Sequence, residues 1–212
     1  MKSILVIAAT TLGLGLLAPN ANAALITGVT ASTTLGSGAG TNIANALNGQ
    51  GLPGNTPALS GNHASSGPSD TWVSAEGTLT GNITFDLNGS YSLAGFSFWN
   101  FIGANNTIGI RGVTVQSSTD GVSFSAIAGA PTQFTQGINV PQPPEVISFP
   151  PFTASYVRFV VGSNWGNNAF TGFSEVQFNG TPAPVATTPE PASILGLLAV
   201  GGGLLATKRR KG

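Results

Sequence analysis

Residues 79–87 alternate in character. Leu79, Ile83, Phe85 and Leu87 fall on one face, and Thr78, Thr80, Asn82, Thr84 and Asp86 on the other, with Gly81 interrupting the apolar set. A period of two marks a half-buried strand. Asn88-Gly89 then predicts a turn. Residues 91–101 are aromatic and mostly apolar, which suits a central strand covered on both faces. In residues 111–117 the alternation returns, with Val113 and Val115 inward. Asp120-Gly121 is the strongest hairpin signal in the chain, with Val122, Phe124 and Ala126 on the returning strand. Residues 145–149, 155–161 and 173–178 supply three further strands. No long stretch has helical periodicity, and no internal repeat is visible. Many short strands separated by Gly, Asn and Pro predict an all-β sandwich or jelly roll. Residues 35–69 break the pattern. They are rich in Gly, Asn, Ser and Pro, and a loop of that length is uncommon unless something orders it. A cation bound by backbone carbonyls would do so.

The two ends carry the longest apolar runs. Lys2, an apolar stretch over residues 4–17, Pro19 and Ala21-Asn22-Ala23 follow in the order of a secretory signal peptide, residues 1–23, cut after Ala23. At the other end, residues 181–188 form a Pro/Thr linker. Residues 192–207 are apolar and Gly-rich, and Lys208, Arg209, Arg210 and Lys211 close the chain. A helix of about 16 residues is about 24 Å long, somewhat short of a bilayer core of about 30 Å. The basic cluster would stay on the cytoplasmic side of such a segment, leaving the middle of the chain outside.

Charge sharpens this division. The chain has 212 residues, with seven Lys+Arg against seven Asp+Glu. Between the ends only Arg111 and Arg158 are cationic, against Asp70, Glu76, Asp86, Asp120, Glu145 and Glu175. The neutral total thus hides an acidic domain, residues 24–180, which argues against nucleic-acid binding and favours neutral or cation-bridged ligands over acidic polysaccharide. With no Cys, disulfides and thiolate metal sites are excluded, and His63 alone cannot build a multi-histidine centre. No G-x-S-x-G nucleophile elbow occurs, so the reading is a binding protein and not an enzyme.

Pro189, Glu190 and Pro191, the apolar segment and the basic cluster together resemble a PEP-CTERM sorting signal, residues 189–212. Thr188 stands where that family often has Val. The resemblance implies processing by an exosortase, a membrane helix before processing, and a place at the cell surface or beyond it, beside exopolysaccharide.

A second resemblance covers residues 24–180. In order come Ala46-Leu47-Asn48-Gly49, Asp70-Thr71-Trp72, Gly81-Asn82-Ile83-Thr84-Phe85-Asp86-Leu87, Trp99-Asn100, Arg111-Gly112-Val113 and Ser118-Thr119-Asp120-Gly121. Tyr156-Val157-Arg158-Phe159, Ser163-Asn164-Trp165-Gly166 and Phe173-Ser174-Glu175-Val176-Gln177-Phe178 follow. This set resembles the discoidin-like (coagulation factor 5/8 C-terminal-like) domain, which includes family 32 carbohydrate-binding modules. It implies an eight-stranded jelly-roll β-sandwich of the galactose-binding type, with binding loops at one end. It also implies calcium held by Asn48, Asp70 or Thr71, and Glu175, with the Ala46 carbonyl as a further ligand; Asn48 stands where relatives often have Asp. A solvated loop with a Glu175–Arg158 pair is the alternative. Trp165, flanked by Asn164, Asn167 and Asn168, is the best candidate to stack on a sugar, and Arg111 could contact an anionic sugar or pair with Asp120. Trp72 and Trp99 are expected in the core and His63 in solvent. The function that follows is a carbohydrate-binding surface protein acting with extracellular polysaccharide. The alternative is a structural surface or biofilm protein without a specific ligand.

Overall fold

A computed structural model describes residues 24–38 and 40–184. The signal peptide, the sorting signal and the apolar segment 192–207 lie outside the described residues. Among the described residues, no helix is long and apolar enough to cross a membrane. The chain divides after Thr181 into a compact unit and a second one, Pro182–Gly212, of which only residues 182–184 are described.

The described residues form eight strands: β1 (Ala24–Leu25), β2 (Thr30–Thr33), β3 (Trp72–Val73), β4 (Gly81–Asn100), β5 (Val113–Ser118), β6 (Ser125–Ala126), β7 (Glu145–Val161) and β8 (Gly172–Pro182). Their order is β1-β8-β4-β7-β5-β6, with β2 on β4 and β3 on β8. The alternation holds from Ile83 on: Ile83, Phe85 and Leu87 are fully buried, whereas Leu79 precedes β4 and is only half-buried. Phe96, Phe98, Trp99 and Asn100 are buried in succession, as a strand covered on both faces requires.

Asn88-Gly89 does not reverse the chain. Asp86 pairs with Tyr156 and Tyr91 with Ala154, so Asn88, Gly89 and Ser90 bulge out after buried Leu87 while β4 continues along β7. Asn88 takes φ 56°, a left-handed conformation that Asn tolerates well. The dipeptide supplies the backbone freedom expected of it, but the ladder on either side uses that freedom for a bend. The two strands expected at 145–149 and 155–161 are likewise one strand, β7. Its register shifts between Leu93↔Phe152 and Gly95↔Ser148, and Pro150 and Pro151 sit in that irregularity, where no ladder N–H is required of them.

The bends fold both long strands over one core. Phe85 and Phe96 are eleven residues apart, about 36 Å along a straight strand. Yet both rings pack on Phe159, at 5.0 and 5.3 Å, and on Phe178, at 5.2 and 5.9 Å. Strand β4 therefore doubles back, and β7, its partner throughout, doubles with it. The ends of the fold-over bring residues 101–112, 127–144 and 162–171 to one end of the sandwich.

The hairpin at Asp120-Gly121 is present, with Gln116 opposite Ala126. Asp120 accepts from the Ser118 hydroxyl at 2.7 Å and from the Val122 and Ser123 N–H groups at 2.8 Å each. These bonds, the hydroxyl foremost, hold its carboxyl well below the usual carboxylate range. The inward residue of the return is Ile127; Val122 is 81% exposed. The irregularity lies in the turn, which displaces the alternation before the short β6 begins.

Residues 35–69 fold down onto the sheet. Ser97 donates to the Leu59 carbonyl at 2.6 Å, Trp99 Nε1 to Gly61 at 3.0 Å, and Trp72 Nε1 to Gly36 at 3.1 Å. Both tryptophans are buried as expected. His63 is not in solvent: it is fully buried, its ring lies under Gly51, and its backbone pairs with Gln142. Gly51 and the Gln142 backbone, both away from it in sequence, exclude water from the ring, which local composition does not reveal.

Replacing Phe159 with Ala empties the meeting point of four phenyl rings, those of Phe85, Phe96, Phe98 and Phe134. The expected cost is about 3–5 kcal/mol of folding stability, read from urea unfolding of the full chain. A change below 1 kcal/mol would contradict this packing.

Candidate functional site

The loop that follows β7 is built by its own amides. Asn164 Nδ2 donates to the carbonyls of Asn167 and Phe170, both at 2.8 Å, while its Oδ1 accepts from Gly166 N–H at 2.9 Å. Asn167 Oδ1 in turn accepts from the N–H groups of Ala169 and Phe170. Short amide side chains in this role close turns upon themselves. The loop is then pinned to its neighbour: Trp165 N–H donates to Gly109 at 3.0 Å and Arg111 N–H to Ser163 at 2.9 Å.

These bonds bring together all four residues expected to meet sugar, Arg111, Asn164, Trp165 and Asn167, but in different roles. Asn164 is committed to the loop. Trp165 is half-buried, and its indole N–H is enclosed without a partner. The Arg111 guanidinium carbon lies 4.9 Å from the centroid of the Trp165 ring. Its Nε donates to Gln133 Oε1 at 3.3 Å. Arg111 therefore pairs with Trp165 and Gln133, and Asp120 is occupied elsewhere. Sequence reasoning missed two members: Gln133, and Asn105, whose Oδ1 accepts from Asn167 Nδ2 at 3.3 Å. Neither belongs to a motif; both arrive from loops distant in sequence. The result is an aromatic face, a fixed cation and a rim of amides, a set suited to stacking on and hydrogen-bonding a polyol.

The second candidate lies under the long loop. Glu175 points away from the phenyl core and is fully buried beneath the turn Ile43–Leu47 and the residues after it. Gly49 N–H donates to its Oε1 at 3.1 Å, and Gln177 Nε2 donates to the same oxygen. Gln177 also donates to the Leu47 carbonyl at 3.0 Å. Gly49 has φ 73°, and a Cβ there would stand 2.2 Å from the Pro57 nitrogen, so only glycine brings this N–H to the carboxylate. Arg158 is not a partner: its Nε donates to Thr84 Oγ1 at 3.0 Å, and its guanidinium carbon lies 3.5 Å from the centroid of the Phe124 ring.

Glu175 Oε2 is buried without a partner. Burial pushes the carboxyl up from its usual 4.5 to about 8, against the hydrogen bonds from Gln177 and Gly49, and the Asp70 carboxylate adds a smaller push in the same direction. The other expected ligands come to the same region: Asn48 precedes Gly49, Thr71 bonds to Phe173, two residues before Glu175, and the Asp70 charge is felt there. Asn48 Nδ2 donates to the Ser69 carbonyl and its Oδ1 accepts from Gln50 N–H. Asp70 accepts from Gly67 N–H. Thr71 Oγ1 donates to the Phe173 carbonyl at 2.8 Å. An orphaned, buried carboxylate oxygen beside a second carboxylate is a hard-oxygen environment that fits a calcium ion. Asn48 is the weakest of the set, because both ends of its amide are already bound.

The F5/8 type C domain profile matches residues 28–176. No curated protein matches the chain in sequence. Among solved structures, CBM32-1 from a family 31 glycoside hydrolase of Clostridium perfringens is similar, with TM-score 0.53 and 14% identity over 73% of this chain and 95% of that one. So is the family 32 CBM of C. perfringens NanJ, solved with galactose, with TM-score 0.51 and 15% identity over 74% of this chain and 97% of that one. A family 89 glycoside hydrolase of C. perfringens also matches, at TM-score 0.51 and 20% identity over 75% of this chain, but the chain spans only 15% of that enzyme. At these identities the likeness is one of fold.

The raised carboxyl predicts a pH dependence. Glu175 binds its proton more tightly folded than unfolded, so the folded state holds more protons between its ordinary 4.5 and about 8. Stability in metal-free buffer is therefore highest below that window and falls as pH rises through it. Melting the full chain in chelator from pH 4.5 to 8.5 checks this, and Glu175→Gln should flatten the slope. A wild-type melting temperature that rises over this range would refute it.

Proposed function

The chain belongs to the F5/8 type C domain family, and on that premise we propose that it is an exported carbohydrate-binding protein of the cell surface or extracellular matrix. The observation that carries this reading is the Arg111–Trp165 stack, held 4.9 Å apart on a loop whose asparagines fix its shape. A preformed aromatic and cationic surface binds without the entropy cost of assembling it. Likeness of fold to a family 32 CBM solved with galactose supports the same class of ligand. Trp165 and Arg111 contact the sugar, Asn167 and Asn105 border it, and Asn164 keeps the loop in shape.

Calcium belongs to the proposal as a structural ion. Glu175 Oε2, the Asp70 carboxylate and the Thr71 hydroxyl are the side-chain oxygens that would hold it. When bound, it would neutralise two carboxylates and tie the long loop to β8. Export rests on residues 1–23, and sorting on Pro189, Glu190, Pro191, the apolar segment and the basic cluster, which together suit recognition by an exosortase. The product acts with extracellular polysaccharide.

A second reading, a surface protein with no specific ligand, draws on the enclosed indole N–H of Trp165, which a purely structural corner also produces. Affinity electrophoresis in galactose-containing polysaccharide separates the two. Trp165→Ala should lose retention by about tenfold or more, a change of about 1.4 kcal/mol or more, with an unchanged melting temperature. Equal retention of the variant, or none by the wild type, would favour the second reading.

Calcium in millimolar excess should raise the melting temperature of the wild type at pH 7.5 and leave Glu175→Gln nearly unmoved. Identical wild-type melts in calcium and in chelator would remove the ion from the proposal.

A further inference from the structure

Beside the loop-end site lies a cleft of about 400 Å³ between residues 134–145 and the end of β4. That volume falls within the range of small-molecule sites, about 300–1,000 Å³. Its walls are apolar where Phe98, Ile138, Pro143 and Pro144 meet. Three of its polar members share one trait: one end of the side chain holds the protein frame and the other has no hydrogen bond among the described residues. Glu145 Oε2 accepts from Thr135 N–H at 2.8 Å, leaving Oε1. Gln142 Oε1 accepts from Ile138 N–H at 3.0 Å, leaving its amide nitrogen. Gln136 Nε2 donates to Asn106 Oδ1 at 3.2 Å, leaving its carbonyl oxygen.

The frame is firm. Gln142 pairs through its backbone with buried His63. Asn100 Nδ2 donates to the Thr135 carbonyl at 2.7 Å, and Asn106 Nδ2 to Gly137 at 2.9 Å. The turn Asn106–Ile108 joins this cleft to the first site, because Asn105 and Thr107 on its other flank bond to Asn167.

We propose that this cleft is a second saccharide subsite, taking a neutral hexose unit of the same chain that binds at Trp165. The proposal rests on the carbohydrate reading given above. Two fixed acceptors, one fixed donor and the Thr135 hydroxyl match sugar hydroxyls, which both donate and accept. Ile138, Pro143 and Pro144 offer aliphatic surface to the C–H face of a ring. Among the described residues Glu145 is the only charged group lining the cleft, so a uronate or sulfated unit is repelled. A longer glycan spanning the Asn106–Ile108 turn gains affinity from both subsites at once.

The test titrates the full chain with methyl β-galactoside and with neutral tetrasaccharides of galactose, N-acetylgalactosamine and glucose. Gln142→Glu keeps the acceptor for Ile138 N–H while removing the donor and adding charge. Thr135→Val removes the hydroxyl and serves if Gln142→Glu lowers the melting temperature. Both variants should bind the preferred tetrasaccharide about tenfold more weakly and the monosaccharide as wild type does. Tetrasaccharide binding equal to wild type in both variants overturns the second subsite and leaves the first standing. So does self-association of the wild type that Gln142→Glu abolishes, because Ile138 and Val140, 49% and 53% exposed, would then be covered by a second copy. Wild type binding none of these sugars overturns both readings.

Discussion

Phe159 touches phenyl rings from both halves of β4, and that contact is possible only because the strand doubles back. The hydrophobic effect rewards it: rings that a straight strand would hold about 36 Å apart share one dry core. The fold-over then dictates where the loops go. Because β4 begins and ends at one end of the sandwich, residues 101–112 lie beside residues 162–171, and Arg111 reaches Trp165. Without the bends there would be no loop end and no site.

Charge is scarce, so the polar work falls to amides and hydroxyls. Asn100, Asn164 and Asn167 each satisfy several backbone groups, and buried backbone groups must be satisfied by something. Asn100, for example, takes the carbonyls of Ile110 and Thr135 and so ties two loops to the end of β4. Glu175 is the exception. A carboxylate under a loop, with one oxygen unpartnered, is costly unless it holds a proton or a cation.

Both candidate binding surfaces share one construction. A side chain spends one polar end on the scaffold and presents the other, or its flat face, outward. Arg111 uses Nε on Gln133 and holds its guanidinium over the Trp165 ring; Gln142 uses its oxygen and retains its amide. Groups held this way lose little freedom on binding.

Sequence alone determined the strands whose neighbours are local. The alternation of Ile83, Phe85 and Leu87, the aromatic run before Asn100, the hairpin at Asp120-Gly121 and the inward Val113 and Val115 all stand, because period-two burial and turn chemistry act over a few residues. The motif order carried the fold as well, and it pointed to Arg111, Asn164, Trp165 and Asn167, which do meet at one end. Tertiary structure decided the rest. Asn88-Gly89 has the same local freedom in a turn or a bulge, and only the β7 ladder selects the bulge. His63 sits in a polar stretch, and only its burial against Gly51 and Gln142 makes the position dry. Gln133, Asn105 and the cleft at Gln142 come from segments far apart in sequence, joined by hydrogen bonds that no local pattern encodes. Local preference sets what each segment can do; long-range burial chooses which of those options is used.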